Sequence, residues 1–154
     1  MIGVPGLSPT IADKAAELAR QVGAAMFERD HAAHALGIRI DEIGPGAARL
    51  SMMVRRDMLN AHQTCHGGFL FTLADSAFAF ACNSRNEATV AAGCNIEYLR
   101  PVLMGERLTA TAQERSLAGR SGVYDVAMTN ESGETVALFR GKSQRVKGEV
   151  LAPG

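Results

Sequence analysis

One stretch, NAHQTCHGGFLFTLADSAFAFACNS, residues 60–84, opens with polar groups that could do chemistry and becomes almost wholly apolar. Asp75 stands alone there among Leu73, Ala74, Ala77, Phe78 and Phe80, with Thr72 and Ser76 a turn or less away. Taking a carboxylate out of water without a partner is unfavourable, so an acid in such a run needs a reason. It can be a structural acid that caps a loop or meets an arginine, or a general base or nucleophile in a dry cleft. Just upstream, His66-Gly67-Gly68 stands where a helix would begin. First-turn N–H groups lack partners inside a helix and carry the positive end of its dipole, and two glycines let a ligand approach them closely. Such a terminus is either an ordinary helix start or a place to bind an anion or the oxyanion of an acyl transfer.

Spacing joins the two features. At ~1.5 Å of rise per residue, Gly67 and Asp75 stand roughly 12 Å apart along one helix. A reacting carbonyl has to lie about 3 Å from its oxyanion donor and about 3 Å from its attacker. One helix cannot supply both. If both act on one substrate, the acid comes from a second copy of the helix across a two-fold interface.

The segment HQTCH offers two rival chemistries. His62, Cys65 and His66 could begin a zinc site, but no second ligand cluster with suitable spacing follows, and His31 and His34 belong to the N-terminal helix. Cys65 beside His66 could suggest a thiolate, yet adjacency in sequence does not make a nucleophile–base pair. The expectation is therefore that Asn60 and His66 orient the acid or a water, that Cys65 packs, and that no metal is needed.

The elements that must hold these residues can be read from period and punctuation. Ser8-Pro9 is a plausible helix start, and Ile11, Ala15, Leu18, Val22 and Met26 form one stripe of a helix running to about Leu36, stopped by Gly37. Alternation around Gly-Pro-Gly predicts a hairpin from Ile38 to Val54, followed by a loop through RRDMLNAHQTCH. Residues 67–83 are too long a run for a buried strand and predict a very apolar helix. Strands are expected at Thr89–Leu99, Arg107–Ala118, Gly122–Thr129 and Glu134–Val146, separated by turn residues. GEVLAPG reads as a frayed tail. The organisation is thus an extension (1–35), a main domain (36–147) and a tail (148–154). Strands grouped after a helix imply an α+β domain with an antiparallel sheet. A helix apolar on nearly every side should be enclosed by that sheet, whose free face or edge would invite a partner subunit.

Composition narrows the function classes. With 154 residues, 47% of them apolar, and 16 basic residues balancing 16 acidic ones, the chain is expected to form one globular domain. That balance leaves no electrostatic footprint for nucleic acid or an anionic membrane. Asp75 interrupts the best candidate for a membrane span, and the N-terminus lacks the pattern of a signal peptide. Cys65, Cys82 and Cys94 are odd in number and unpatterned, which suits reduced thiols in the cytoplasm.

HGGFLFTLAD, followed by NIEYLRPV and TATAQ, resembles the hotdog-fold acyl-CoA thioesterases. DMLNAHQTCHGG, LADSAFAFACNS and VALFRGKS narrow the resemblance to the phenylacetate-degradation thioesterase family, over roughly residues 36–146. The resemblance implies an α+β hotdog fold, with a sheet wrapped round a central helix, and hydrolysis of aryl-acetyl-CoA, most plainly phenylacetyl-CoA or hydroxylated and ring-modified relatives. It implies a homo-oligomer, a dimer with composite sites or a tetramer, and no cofactor beyond the coenzyme A of the substrate. By motif position the family's acid falls on Asp75, its oxyanion-hole glycine on Gly67, and its loop asparagine and histidine on Asn60 and His66. Some relatives hold water with a serine where this chain has Ala91 or Ala92, so here another group positions the water or Asp75 attacks directly. Gly68, Phe69, Thr72 and Ser76 are expected against the acyl group, and Arg100, Lys142 and Arg145 against the coenzyme A phosphates. Two rivals share the fold. A non-catalytic acyl-CoA sensor would need no buried acid, and an enoyl-CoA hydratase would pair its acid and histidine within one loop.

Overall fold

The computed structural model describes residue 6 and residues 8–152. α1 (Ile11–Arg29) begins two residues later than the Ser8-Pro9 signal suggests, because Thr10 and Asp13 form a reciprocal capping box. Its Ala19, Val22 and Gly23 are buried, whereas Ile11 is 88% exposed and does not join the predicted stripe. The helix also breaks at Asp30, whose side chain accepts from Ala33 N–H and starts the short α2 (His31–Ala35). Gly37, at φ 65, then ends the helical region in the left-handed conformation that glycine adopts without strain.

The predicted hairpin forms as β1 (Arg39–Gly44) and β2 (Ala47–Met53). The loop through residues 54–66 follows, and α3 spans Gly67–Asn83 as expected. The remaining strands are β3 (Thr89–Tyr98), β4 (Arg107–Ala118), β5 (Ser121–Thr129) and β6 (Thr135–Arg145), each within about two residues of its sequence signal. All pairings are antiparallel, in the order β1-β2-β4-β5-β6-β3. β2 and β3 flank α3 in sequence, yet they lie four places apart in the sheet. α3 thus carries the chain across the sheet and sets β3 on its far edge.

α3 touches all six strands. Leu70, Leu73, Ala74, Ala77, Phe78, Phe80 and Ala81 are its buried face. Gly141 in β6 has to be glycine, since a Cβ there would lie 2.8 Å from the Phe78 ring. Phe78 in turn packs against Tyr124 and Phe139. Enclosure is nonetheless one-sided within the chain. Phe69, Phe71, Thr72, Asp75, Ser76 and Ala79 stay only half-buried, because the sheet ends at β3 and no further strand closes over them. The two sheet edges also differ. α1 packs on β1, with Gly23 against Ile40 and Ile43, while β3 is exposed along almost all of its ten residues.

Residues after β6 do not hang free as a frayed tail. Gly148 C=O accepts from Ala88 N–H at 3.1 Å, and Leu151 N–H donates to Asn86 at 2.8 Å. Among the described residues no helix is long and apolar enough to cross a membrane.

Candidate active site

α3 and the edge strand β3 lie side by side in opposite directions, and the functional candidates line the groove between them. The register of β3 on β6 sets Cys94 beside Gly141, Ile96 beside Phe139 and Tyr98 beside Ala137. Gly141 and Phe139 face the core, so Cys94, Ile96 and Tyr98 face α3.

At the start of α3 the first-turn amides are almost all engaged. His66 is the N-cap, and its Nδ1 accepts from Gly68 N–H at 3.0 Å. That bond requires a neutral ring with its proton on Nε2. Phe69 N–H donates to His66 C=O at 3.0 Å. Only Gly67 N–H is left without an acceptor among the described residues. The Gly67 carbonyl, by contrast, accepts from Tyr98 Oη at 2.9 Å. The Tyr98 ring lies so near that a Cβ at position 67 would sit 2.9 Å from Cζ. The glycine is there for this close approach.

Asn60 stands across the same cleft. Its Oδ1 accepts from His62 N–H at 2.9 Å and from Thr64 N–H at 3.3 Å, tying a tight loop in which Gln63 adopts φ 60. These bonds identify the oxygen of the amide and leave its NH₂ group without an acceptor among the described residues, available to donate. Asn60, Thr64, Gly67, Leu70, Tyr98, Leu99, Arg100 and Val102 are among the residues that line this cleft, of about 450 Å³. Two free donors therefore border a largely apolar hollow.

Farther along α3, Asp75 makes no hydrogen bond or ion pair with any described residue. Burial alone raises its pKa above the ordinary 3.8. Its charge in turn contributes to raising the thiol pKa of Cys94 and of Cys82. An arginine partner or a capping role, the structural alternatives for this acid, is not what the chain provides. The groove thus offers an unpartnered carboxylate with an elevated proton affinity, roughly 12 Å along the helix from the free amide of Gly67.

The other sequence candidates divide. Gly68 N–H is occupied by His66, and Thr72 Oγ1 donates to Gly68 C=O at 2.9 Å. Phe69 is half-buried and meets the His66 ring edge-on at 6.2 Å. Ser76 is half-buried beside Asp75. Cys65 is buried and its thiol pKa is pushed up to about 11 by desolvation, the opposite of an activated thiolate. Among the described residues no three His, Cys, Asp or Glu side chains converge as metal ligands.

Arg100 borders the cleft and pairs with Glu134 at 3.3 Å. Arg145 pairs with Glu87 and lies opposite Thr89, at the other end of β3. At ~3.3 Å per residue this is roughly 35 Å from Arg100. Lys142, opposite Gly93, lies between them. One chain therefore does not gather the three basic residues at one place. Tyr98 and Thr64 did not emerge from sequence reasoning. Tyr98 carried a signal all the same, since alternation along CNIEY puts it on the face of Cys94 and Ile96.

A larger hollow, of about 510 Å³, lies on the outer face of the sheet. There Asp125 is bound by Arg140 at 2.6 Å and by Arg115 at 3.0 Å, which holds its pKa below the usual range. Its Asp125 is thus fully engaged, while Glu97 on the same wall lies on the face of β3 opposite to Cys94, Ile96 and Tyr98.

Residues 62–137 match the thioesterase superfamily. The chain is 53% identical to the acyl-coenzyme A thioesterase PaaI of Escherichia coli K12 over 126 residues, 82% of this chain and 90% of that one. The structure of the E. coli PaaI protein from the phenylacetic acid degradation operon superimposes with a TM-score of 0.87 at 51% identity, covering 88% of this chain and 98% of that one. A mutant structure of the phenylacetic acid degradation protein PaaI from Thermus thermophilus gives 0.74 at 44% identity, covering 76% and 100%.

Proposed function

The chain belongs to the thioesterase superfamily, as an acyl-CoA thioesterase of the PaaI type, and from that premise we propose that it hydrolyses phenylacetyl-CoA or ring-modified aryl-acetyl-CoA to the free acid and coenzyme A. The observation that carries this reading is the division of the α3–β3 groove. Among the described residues, one end has a free N–H beside a mostly apolar cleft, and the other a carboxylate with no partner.

In this reading the thioester oxygen accepts from Gly67 N–H, with the Asn60 amide as a second donor. As the carbonyl is attacked, negative charge collects on that oxygen, where fixed donors stabilise it more than in the ground state. Ionised Asp75 drives the attack in one of two ways. It removes a proton from water as the water oxygen bonds to the carbonyl carbon, or it bonds to that carbon itself and water later cleaves the resulting anhydride. Either route breaks the carbon–sulfur bond and releases coenzyme A as thiolate, which then takes up a proton.

Because ~12 Å separates amide and acid on one helix, the attacking Asp75 belongs to a second copy of the chain. The exposed edge of β3 supports this, with a row of backbone groups open to antiparallel pairing. A two-fold axis that sets Gly67 against Asp75 of the second copy passes near Phe71 in α3. The match of Tyr98 to Gly67 and of Cys94 to the neighbourhood of Asp75 puts the same axis near Ile96 in β3. The two elements agree on one axis. The second copy would also cover the half-exposed face of α3. Arg100 is then the basic side chain that the cleft's own chain offers to phosphate, while Lys142 and Arg145 would reach it from the second copy. The site residues need no metal for this chemistry, and the compartment consistent with three free thiols is the cytoplasm.

Coenzyme A release measured over a panel of aryl-acetyl-, benzoyl- and alkanoyl-CoA thioesters tests the reading. The expected result is the highest kcat/KM for aryl-acetyl-CoA. Hydrated acyl-CoA as product would make the protein a hydratase, and tight binding without turnover would make it a sensor.

A further inference from the structure

Glycine at position 67 solves one problem and creates another. It lets the Tyr98 ring come within contact of the backbone, but it also leaves the amide that would bind the thioester oxygen on the most flexible residue type. An oxyanion donor is useful only if it is already aimed before charge develops. The remaining contacts of this residue answer the difficulty. Gly67 C=O is held by Tyr98 Oη at 2.9 Å, and the N–H of the same peptide unit, that of Gly68, is held by His66 Nδ1 at 3.0 Å. One peptide plane is thus clamped at both ends, from an edge strand and from a cap. Hydrogen bonds in series polarise one another, and here the series runs from the Tyr98 hydroxyl through that peptide to the His66 ring.

We propose that Tyr98 is a positioning residue for hydrolysis: its hydroxyl fixes the Gly67–Gly68 peptide and so narrows the backbone angles of Gly67. This steadies the adjoining His66–Gly67 peptide, which carries the Gly67 N–H and whose carbonyl is held by Phe69 N–H. The proposal rests on the thioesterase reading above. Tyr98 touches the helix backbone through its hydroxyl and acts on the substrate carbonyl only through Gly67. It also explains a half-exposed tyrosine on an otherwise mostly aliphatic strand face. A merely apolar role would be filled as well by phenylalanine. The hydroxyl is the part that phenylalanine lacks, and it is the part that makes the bond.

The test compares wild type with Tyr98→Phe on phenylacetyl-CoA, using the full-length protein. Loss of one neutral hydrogen bond that aims the donor should lower kcat about 3- to 10-fold, with KM within about twofold. A second variant carries 3-fluorotyrosine at position 98, which keeps the ring and the bond but ionises at lower pH. Ionisation removes the donor, so the alkaline fall of kcat should move to lower pH in this protein and vanish in Tyr98→Phe. If wild type turns over while both variants match it in kcat and in pH profile, the inference is overturned and the thioesterase reading stands. If wild type releases no coenzyme A, that reading fails and takes this inference with it.

Discussion

The two ends of the α3–β3 groove are built on opposite principles. At the Gly67 end hydrogen bonds join the peptide to its cap and to the tyrosine, the loop asparagine ties its own loop beside them, and among the first-turn amides one donor is left over. At the Asp75 end the carboxylate has no partner among the described residues, and burial makes its charge unfavourable. A saturated network holds a donor still, and an unsatisfied acid stays basic. The contrast is what an acyl transfer needs, with rigidity where charge arrives and reactivity where it starts. It also separates the two halves by more than one substrate carbonyl can span.

The largest effect is expected from removing the unsatisfied acid. Asp75→Asn should lower turnover by about 10²- to 10⁴-fold. The same change should stabilise the fold at neutral pH. Because burial holds the folded carboxyl above the ordinary 3.8, the unfolded chain gives up its proton first as pH rises. Wild type therefore loses stability from about that pH upward until the folded carboxyl has also ionised, and the Asp75→Asn variant would escape the loss. Urea titrations of both proteins at acidic and neutral pH, beside their turnover rates, would show it. A less stable, fully active variant would make Asp75 structural.

Blocking the saturated end should come next. Gly67→Leu drives a side chain into the Tyr98 ring, so this variant by itself should be inactive. Under the proposed composite site, co-expression with Asp75→Asn chains should give hybrid dimers with one doubly damaged site and one intact site. Purified hybrids are expected to recover up to about half of wild-type activity per dimer. Verified hybrids with no activity would place donor and acid within one chain's site and defeat the composite arrangement.

The smallest effect concerns the cap. His66→Ala frees the Gly68 N–H and should lower stability by about 1 kcal/mol, the usual value of an N-cap. Its activity should fall far less than that of Asp75→Asn, since Gly67 keeps its bond to Tyr98. Chemical denaturation and steady-state rates measure the two effects separately. An activity loss as deep as that of Asp75→Asn would assign the imidazole a direct part in the chemistry.

Much of this contrast was visible in the residues alone. Asp75 is conspicuous because its sequence neighbours are apolar, and α3 runs from Gly67 to Asn83 because its composition and length permit little else. The roles of Asn60 and His66 were legible only in outline. Both were expected to orient the acid or a water, and the bonds they make in this chain are local ones, a loop tie and a helix cap. Thr10 in place of Ser8 as the first cap, and the break at Asp30, were missed because either polar residue can accept a first-turn amide.

Local pattern therefore determined the helices and strands, the turn glycines, the lone acid and its distance from the helix start, since each depends on residues a few positions apart. Tertiary structure alone decided the strand order, the exposure of the β3 edge and the meeting of Tyr98 with Gly67, which are 31 positions apart in sequence. It also decided that Arg100 and Arg145 stand at opposite ends of one strand. The physical reason is that period and capping act within a turn or two of chain, while the sheet order depends on which long-range pairings bury the apolar faces of all the elements together.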